Sequence, residues 1–395
     1  MKTLRSPKQK PANQARKSLR YYAAYSEGFV EDVIRSLKLP KDAVILDPWN
    51  GSGTTTLVAS RLKFNSIGFD LNPAVSQMAY SRLASMPDME KAITTVKKAF
   101  IKSHSKQLYQ YLGAFEKWFD EQSISHLSAL RAAIHKSSND SIVLGLIDTA
   151  ICTGLREQLT AFKTKNPSWL RFCRSHEKKI SLDIALLEET TIGLIGQCTP
   201  QASNSLKPLL QTKNIIESGL QSASVDAVIT SPPYCTRIDY GIATVIELAW
   251  LGLGINAIQD LRLQMTGTPR VRKETFSANE NLPFSVKELL EAIETHPSKA
   301  SKSYYLKTYH QFFNDMYLSF EELHRVIKPQ GSLCVVVQDS FYKDVHVKLP
   351  ALLEAILETI GFEILGKTPY IAGGLNFIHG NNTVNEVALT FQKKA

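Results

Sequence analysis

Cysteine is sparse in this chain, and its spacing is uninformative for metal. The five thiols (Cys152, Cys173, Cys198, Cys235 and Cys334) form no CxxC pair, which argues against a zinc site or a disulfide framework and fits a reducing cytoplasm. No apolar run is long enough to span a bilayer, and Met1–Pro7 lacks the apolar core of a signal peptide. Acidic residues are missing before Glu27, where Lys2, Arg5, Lys8, Lys10, Arg16, Lys17 and Arg20 stand. Residues 1–24 therefore read as a mobile basic arm, suited either to nucleic-acid phosphates or simply to water. Proline is missing between Pro87 and Pro167, where apolar residues such as Leu127, Leu130, Ala133 and Ile134 recur at helical spacing. There is no internal repeat. The chain has enough apolar residues (44%) for a substantial core, and its net charge of +9 favours an anionic partner.

What is present is concentrated at two points. The first is Asp47-Pro48-Trp49-Asn50-Gly51-Ser52-Gly53-Thr54-Thr55, between the strand-like Ala43–Leu46 and the helix-like Thr56–Leu62. Strand, glycine turn and helix let backbone N–H groups approach a ligand closely. Asp70 ends a second short strand 23 residues beyond Asp47, a distance that suits an acceptor for ribose hydroxyls. The loop lacks the lysine of a phosphate-cradling Walker motif and the third glycine of a dinucleotide fingerprint. A nucleoside-bearing ligand without polyphosphate remains, and S-adenosylmethionine answers that description.

The second point is Ser231-Pro232-Pro233-Tyr234, after the strand-like Asp226–Thr230. Two prolines stop a strand abruptly, because each fixes its own φ and removes a donor. Ser231 and the Pro232 carbonyl are then two acceptors held at a sheet edge beside an aromatic ring. That set suits an exocyclic amino group on a flat base, with Tyr234 stacked on the base. Proline pairs also mark plain strand-to-turn junctions.

Together the two motifs resemble those of the DNA amino-methyltransferases, which methylate the exocyclic nitrogen of cytosine or adenine. DPWNGSGTT is similar to that family's cofactor motif, with Trp49 where phenylalanine is usual, and SPPY to its catalytic motif. Tyr25-Ser26-Glu27-Gly28-Phe29 is similar to the aromatic segment that covers the cofactor. Ile327-Lys328-Pro329-Gln330-Gly331 resembles the family's Lys-Pro-Gly turn, with glutamine where glycine is commoner. The resemblance implies an α/β, Rossmann-like methyltransferase sheet, mostly parallel, with a helical insertion. It implies S-adenosylmethionine as cofactor, held by Tyr25, Phe29, Asp47, Pro48, Gly51, Ser52, Gly53, Thr54 and Asp70. The acidic residue that commonly reads the cofactor's adenine after the third strand is missing from Thr212-Lys213-Asn214, which leaves Asn214 for that contact. Ser231, Pro232, Pro233 and Tyr234 carry catalysis, on double-stranded DNA with the target base flipped out.

By the same resemblance, residues 25–86 and 206–395 form the catalytic domain, and 87–205 is the target-recognition region. Lys163, Lys165, Asn166 and Arg171 there, with Arg270, Arg272 and Lys273 in a later loop, are the candidate nucleic-acid contacts. Serine at the head of SPPY resembles the cytosine-N4 group more than the adenine-N6 group. Both bases stay open, as do an RNA amine and a catalytically silent binding subunit. A partner restriction or defence protein also stays open. Cys235 does not directly follow the proline pair, so it is not the nucleophile of carbon-5 cytosine enzymes and reads as a packed thiol.

Overall fold

The computed structural model describes residues 4–7, 25–103, 113–165, 169–235, 238–272, 279–371, 378–379, 382–383 and 385–394. A helix, α1 (Glu27–Ser36), starts where Ser26 caps it by accepting from Phe29 N. Strand β1 (Val44–Asp47) leads through the glycine loop into α2 (Thr54–Arg61), and β2 (Asn65–Asp70) leads into α3 (Pro73–Ser81). Asn72 caps α3 and Pro73 opens it, the pairing expected at a helix start.

Four longer helices follow: α4 (Met86–Ser103), α5 (Glu121–Ser137), α6 (Ser141–Gln158) and α7 (Ile184–Gly196). Asp120, Asp140 and Asp183 cap α5, α6 and α7. They share an apolar core containing Trp118, Leu127, Leu146, Ile151 and Trp250. Gly145 lets α6 lie directly on α3, since a Cβ there would stand 2.7 Å from the Gln77 carbonyl and from Tyr80 Cβ.

The chain then returns to the sheet with β3 (Leu209–Thr212) and β4 (Val225–Thr230). Next come α8 (Tyr240–Ala243), α9 (Val245–Trp250), α10 (Ile255–Gln264), α11 (Phe284–Thr295) and α12 (Leu306–Val326). The helices α8 and α9 meet at Thr244, whose hydroxyl turns back to the Tyr240 carbonyl at 2.8 Å. The chain ends with β5 (Ile327–Gln338), the hairpin β6 (Ser340–Tyr342) and β7 (Val345–Val347), α13 (Leu349–Ile360), β8 (Phe362–Ile371), the short β9 (Ile378–His379) and β10 (Asn382–Thr383), and β11 (Asn385–Lys393).

The main sheet runs β3-β2-β1-β4-β5-β11-β8. Its first five strands are parallel, and β11 is antiparallel to both neighbours. This is the mostly parallel, Rossmann-like α/β sheet that the family resemblance implies. Order reverses between β1 and β4, so their carboxyl ends open a crevice there. The Lys-Pro-Gln-Gly turn is an irregularity within the β4–β5 pairing rather than a gap between elements. Gln330 sits there at φ 63°, a left-handed backbone that favours glycine.

Candidate active site

The carboxyl ends of β1, β2 and β4 line one cleft of about 830 Å³, its open mouth included. Its wall brings together Tyr25, Pro48, Gly51, Ser52, Thr54, Asp70, Asn214, Ser231 and Pro233 from the expected set. The volume suits a nucleoside-sized ligand.

The glycine loop is shaped by backbone that other residues resist. Gly51 and Gly53 lie at φ 48° and 77°, and a Cβ on Gly53 would stand 2.8 Å from Ala79 Cβ. Asp70 braces the loop: its Oδ2 accepts from Gly51 N and its Oδ1 from Asn72 N, each at 2.9 Å. Burial pushes the Asp70 carboxyl up to about 6, against the pull of those two N–H groups.

Asp47 lies beneath the cleft, 1% exposed. Its Oδ1 accepts from Thr230 Oγ1 at 2.7 Å and from Trp49 N at 3.2 Å, and Tyr25 donates to Oδ2 at 3.2 Å. Its carboxylate thus ties the glycine loop to the residue before Ser231, rather than opening onto the cleft wall. Burial raises it to about 6, opposed by the hydroxyls of Thr55 and Thr230. The Tyr25 hydroxyl also meets Thr55 Oγ1, which donates to the Ile229 carbonyl at 3.1 Å. Phe29 is fully buried behind the cleft, edge-on to Tyr25 and Tyr370. Asn214 reaches the wall while its Oδ1 caps the following turn by accepting from Ile216 N at 3.2 Å.

Beside Ser231 and Pro233, Pro232 is buried and Tyr234 is half-buried. Gly267, at φ 74°, would place a Cβ 2.8 Å from the Tyr234 carbonyl, so loop 264–272 lies directly on the Ser-Pro-Pro-Tyr motif. Gln264, Met265 and Thr266 of that loop join the cleft wall. Arg272 fixes it: two guanidinium nitrogens donate to Asp315, each at 2.7 Å, and Nε to the Leu263 carbonyl at 2.9 Å. Arg171 is likewise engaged, with Glu177. Neither guanidinium stands free for phosphate, unlike the exposed Lys163 and Lys165. Of the remaining candidates, Arg270 lies in the same loop, exposed, its backbone N–H donating to Thr268 Oγ1 at 3.2 Å. Asn166 and Lys273 lie outside the described residues. Arg5, the only cation of the expected arm that is described, is paired with Asp32 and Glu31 on α1. The expected mobile arm is therefore fixed over residues 4–7.

Sequence reasoning missed several residues here. Asn72 lines the cleft and donates to Thr244 Oγ1 at 2.9 Å; the Asn-Pro helix start was its available signal. Tyr240 and Ile215 also line the cleft. Arg82 donates to the Ser52 carbonyl at 2.9 Å, to Thr54 Oγ1 at 2.9 Å and to Glu27 at 2.8 Å, holding the loop from behind. Residues this distant in sequence carry no local signal of such a clamp.

A family model described as DNA methylase, for the N6 and N4 class, matches residues 2–81 and 225–394. The chain belongs to that family. It is a DNA methyltransferase whose methyl donor is S-adenosylmethionine. The unmatched stretch, 82–224, includes α4 to α7. The type II methyltransferase M.BsoBI of Geobacillus stearothermophilus is 26% identical over 87% of this chain and 78% of its own length. The type II methyltransferase M.AvaI of a Nostoc strain is 32% identical over 35% of this chain, which spans 31% of that protein. A solved SAM-dependent methyltransferase from Methanosarcina mazei aligns at 10% identity over 92% of this chain and 97% of its own, with a TM-score of 0.35.

The residues present fit the cofactor. Asp70 offers a carboxylate for ribose, the left-handed glycines allow close backbone approach, and Ile215 and Trp49 supply apolar walls.

Proposed function

We propose that this chain is a site-specific type II DNA methyltransferase that acts on the exocyclic N4 of cytosine. The observation that carries the reading is the shared cleft of Gly51, Asp70 and Ser231, which joins a nucleoside site to a rigid acceptor pair. Serine at position 231 supports cytosine over adenine. The names of M.BsoBI and M.AvaI support a place in a restriction–modification system.

In this reading Asp70 accepts from the ribose hydroxyls, and Asn214 and Ile215 face the adenine. S-adenosylmethionine, when bound, supplies an electrophilic methyl group. Ser231 and the Pro232 carbonyl accept hydrogen bonds from the target amine and turn its lone pair toward that group. Tyr234 stacks on the flipped base. As the new N–C bond forms, the methyl–sulfonium bond would break to leave a neutral thioether and the amine's proton would pass to solvent, so no group of unusual pKa is needed first. Orientation of the two reactants supplies up to about 7–11 kcal/mol of the acceleration. Asp47, through Thr230, keeps the catalytic motif in register with the cofactor loop. Lys163 and Lys165 contact phosphates in the helical region that serves target recognition.

Nucleoside mass spectrometry on DNA from a methylation-deficient host tests the reading. N4-methylcytosine is expected with the intact chain and lost with Ser231→Ala, whose turnover falls on the order of a hundredfold, as when one oriented hydrogen bond leaves a transition state. N6-methyladenine would overturn the choice of base. Unchanged turnover in Ser231→Ala would overturn the role of the serine.

A further inference from the structure

We infer that Arg5 is a positioning residue for cofactor binding and acts through Tyr25. The inference rests on the reading of the cleft as the cofactor site. Arg5 is 27 positions from Asp32 in sequence, yet its backbone N and its Nε both donate to Asp32 Oδ2 at 2.8 Å. One terminal nitrogen donates to Asp32 Oδ1 at 2.8 Å and to Glu31 at 3.1 Å. The guanidinium thus forks across a carboxylate rather than touching it at a point.

Three further contacts turn that fork into an anchor. Ser26 N donates to the Pro7 carbonyl at 2.6 Å, and Ser26 Oγ donates to the Ser6 carbonyl at 2.9 Å. The same Oγ accepts from Phe29 N and caps α1. Leu4 packs on the apolar cluster of Phe29, Val30 and Val33. Residues 4–7 therefore form a short strap across the start of α1, and the residue before its cap is Tyr25. Tyr25 lines the cleft and joins Asp47, Thr55 and the Ile229 carbonyl.

Gly28 provides an independent sign. A Cβ there would stand 3.0 Å from Arg5 Cζ and Nη1. The guanidinium lies flat on α1 where the helix has no side chain, which gives Gly28 of the aromatic segment a physical role. An ordinary exposed ion pair contributes about 0.2–1 kcal/mol. This one orders a segment that carries a cleft residue, so its loss is read as cofactor affinity.

Calorimetric titration of S-adenosylmethionine alone into the full chain tests this, with Arg5→Ala, Arg5→Lys, Gly28→Ala, Tyr25→Phe and the Arg5→Ala/Tyr25→Phe pair. Arg5→Ala and Gly28→Ala are expected to weaken binding about fivefold, with turnover at saturating cofactor held within about twofold. Arg5→Lys keeps the charge but not the fork, keeps the strap in place, and loses less. In the double variant the two losses are expected not to add, because both act through one side chain. Unchanged affinity in Arg5→Ala and Gly28→Ala, or strict additivity with Tyr25→Phe, overturns the inference. Failure of the unaltered chain to bind the cofactor would instead overturn the reading of the cleft.

Discussion

Two carboxyls set the acid side of this protein's behaviour. Asp47 and Asp70 titrate near 6 in the folded chain against an ordinary 3.8. Folding therefore takes up protons between those values. The stability these groups contribute is greatest below about pH 4 and is lost as pH rises through about 6. In the proposed reading cofactor binding runs the other way, because ribose hydroxyls would donate to an ionised Asp70. Affinity for S-adenosylmethionine is expected to fall as pH drops from 7.5 to 5. Asp70→Asn should remove most of that step and weaken binding by about 10- to 100-fold, the scale of a hydrogen bond to a charged group. A flat affinity across that range in the unaltered chain would contradict the assignment. Gln330 is a separate residue-scale case. Its φ of 63° costs a side chain about 1–2 kcal/mol, more than the added chain entropy of glycine. Gln330→Gly should raise stability by about 0.5–1 kcal/mol in urea unfolding, while the Gln392 bond to its carbonyl persists.

Loop 264–272 shows how an element can take a role that its composition does not announce. Thr266-Gly267-Thr268-Pro269-Arg270-Val271-Arg272-Lys273 reads as a loop of three cations, suited to closing over a target strand or to an ordinary surface turn. In the fold its Gly267 abuts the Ser-Pro-Pro-Tyr motif and its Arg272 is spent on Asp315, whose side chain is 5% exposed. Arg272→Met should leave the salt dependence of DNA binding unchanged, where a true phosphate contact would lower the slope by about 1. It should cost about 3–5 kcal/mol of stability, because Asp315 is left buried and unpaired. An altered slope with unchanged stability would restore the phosphate role. The junction of α2 and α3 offers a second element-scale test. Gly53 caps α2 against Ala79, so Gly53→Ala must either shift α3 or distort the loop. Cofactor affinity is expected to fall with it, measured on a variant that keeps its helical circular dichroism.

At the scale of the whole molecule, a charge of +9 favours any polyanion. Several arginines are spent inside the fold: Arg156, Arg262 and Arg272 each hold a buried carboxylate of Glu247, Asp239 or Asp315. Exposed cations such as Lys163 and Lys165 are left for phosphate. Replacing both by alanine should lower the slope of log affinity against log salt by about 2. No change would move target recognition elsewhere on the chain.

The sequence by itself determined the alternating strands and helices of the sheet, the glycine loop, Asp70 at the end of β2 and the proline stop at Ser231. Each is written in local chemistry: period, backbone freedom, or a missing donor within a few residues. It also carried the family, since both motifs stand in order at strand ends. Tertiary structure alone decided that Asp47 turns under the cleft to Thr230, and that Arg82 and Glu27 clamp the loop. It alone put Arg5 on α1 and gave Arg272 to Asp315. Those pairings join residues tens to nearly two hundred positions apart. A charged side chain's sequence neighbours say how it is solvated along the chain; only the packed fold says which opposite charge it meets.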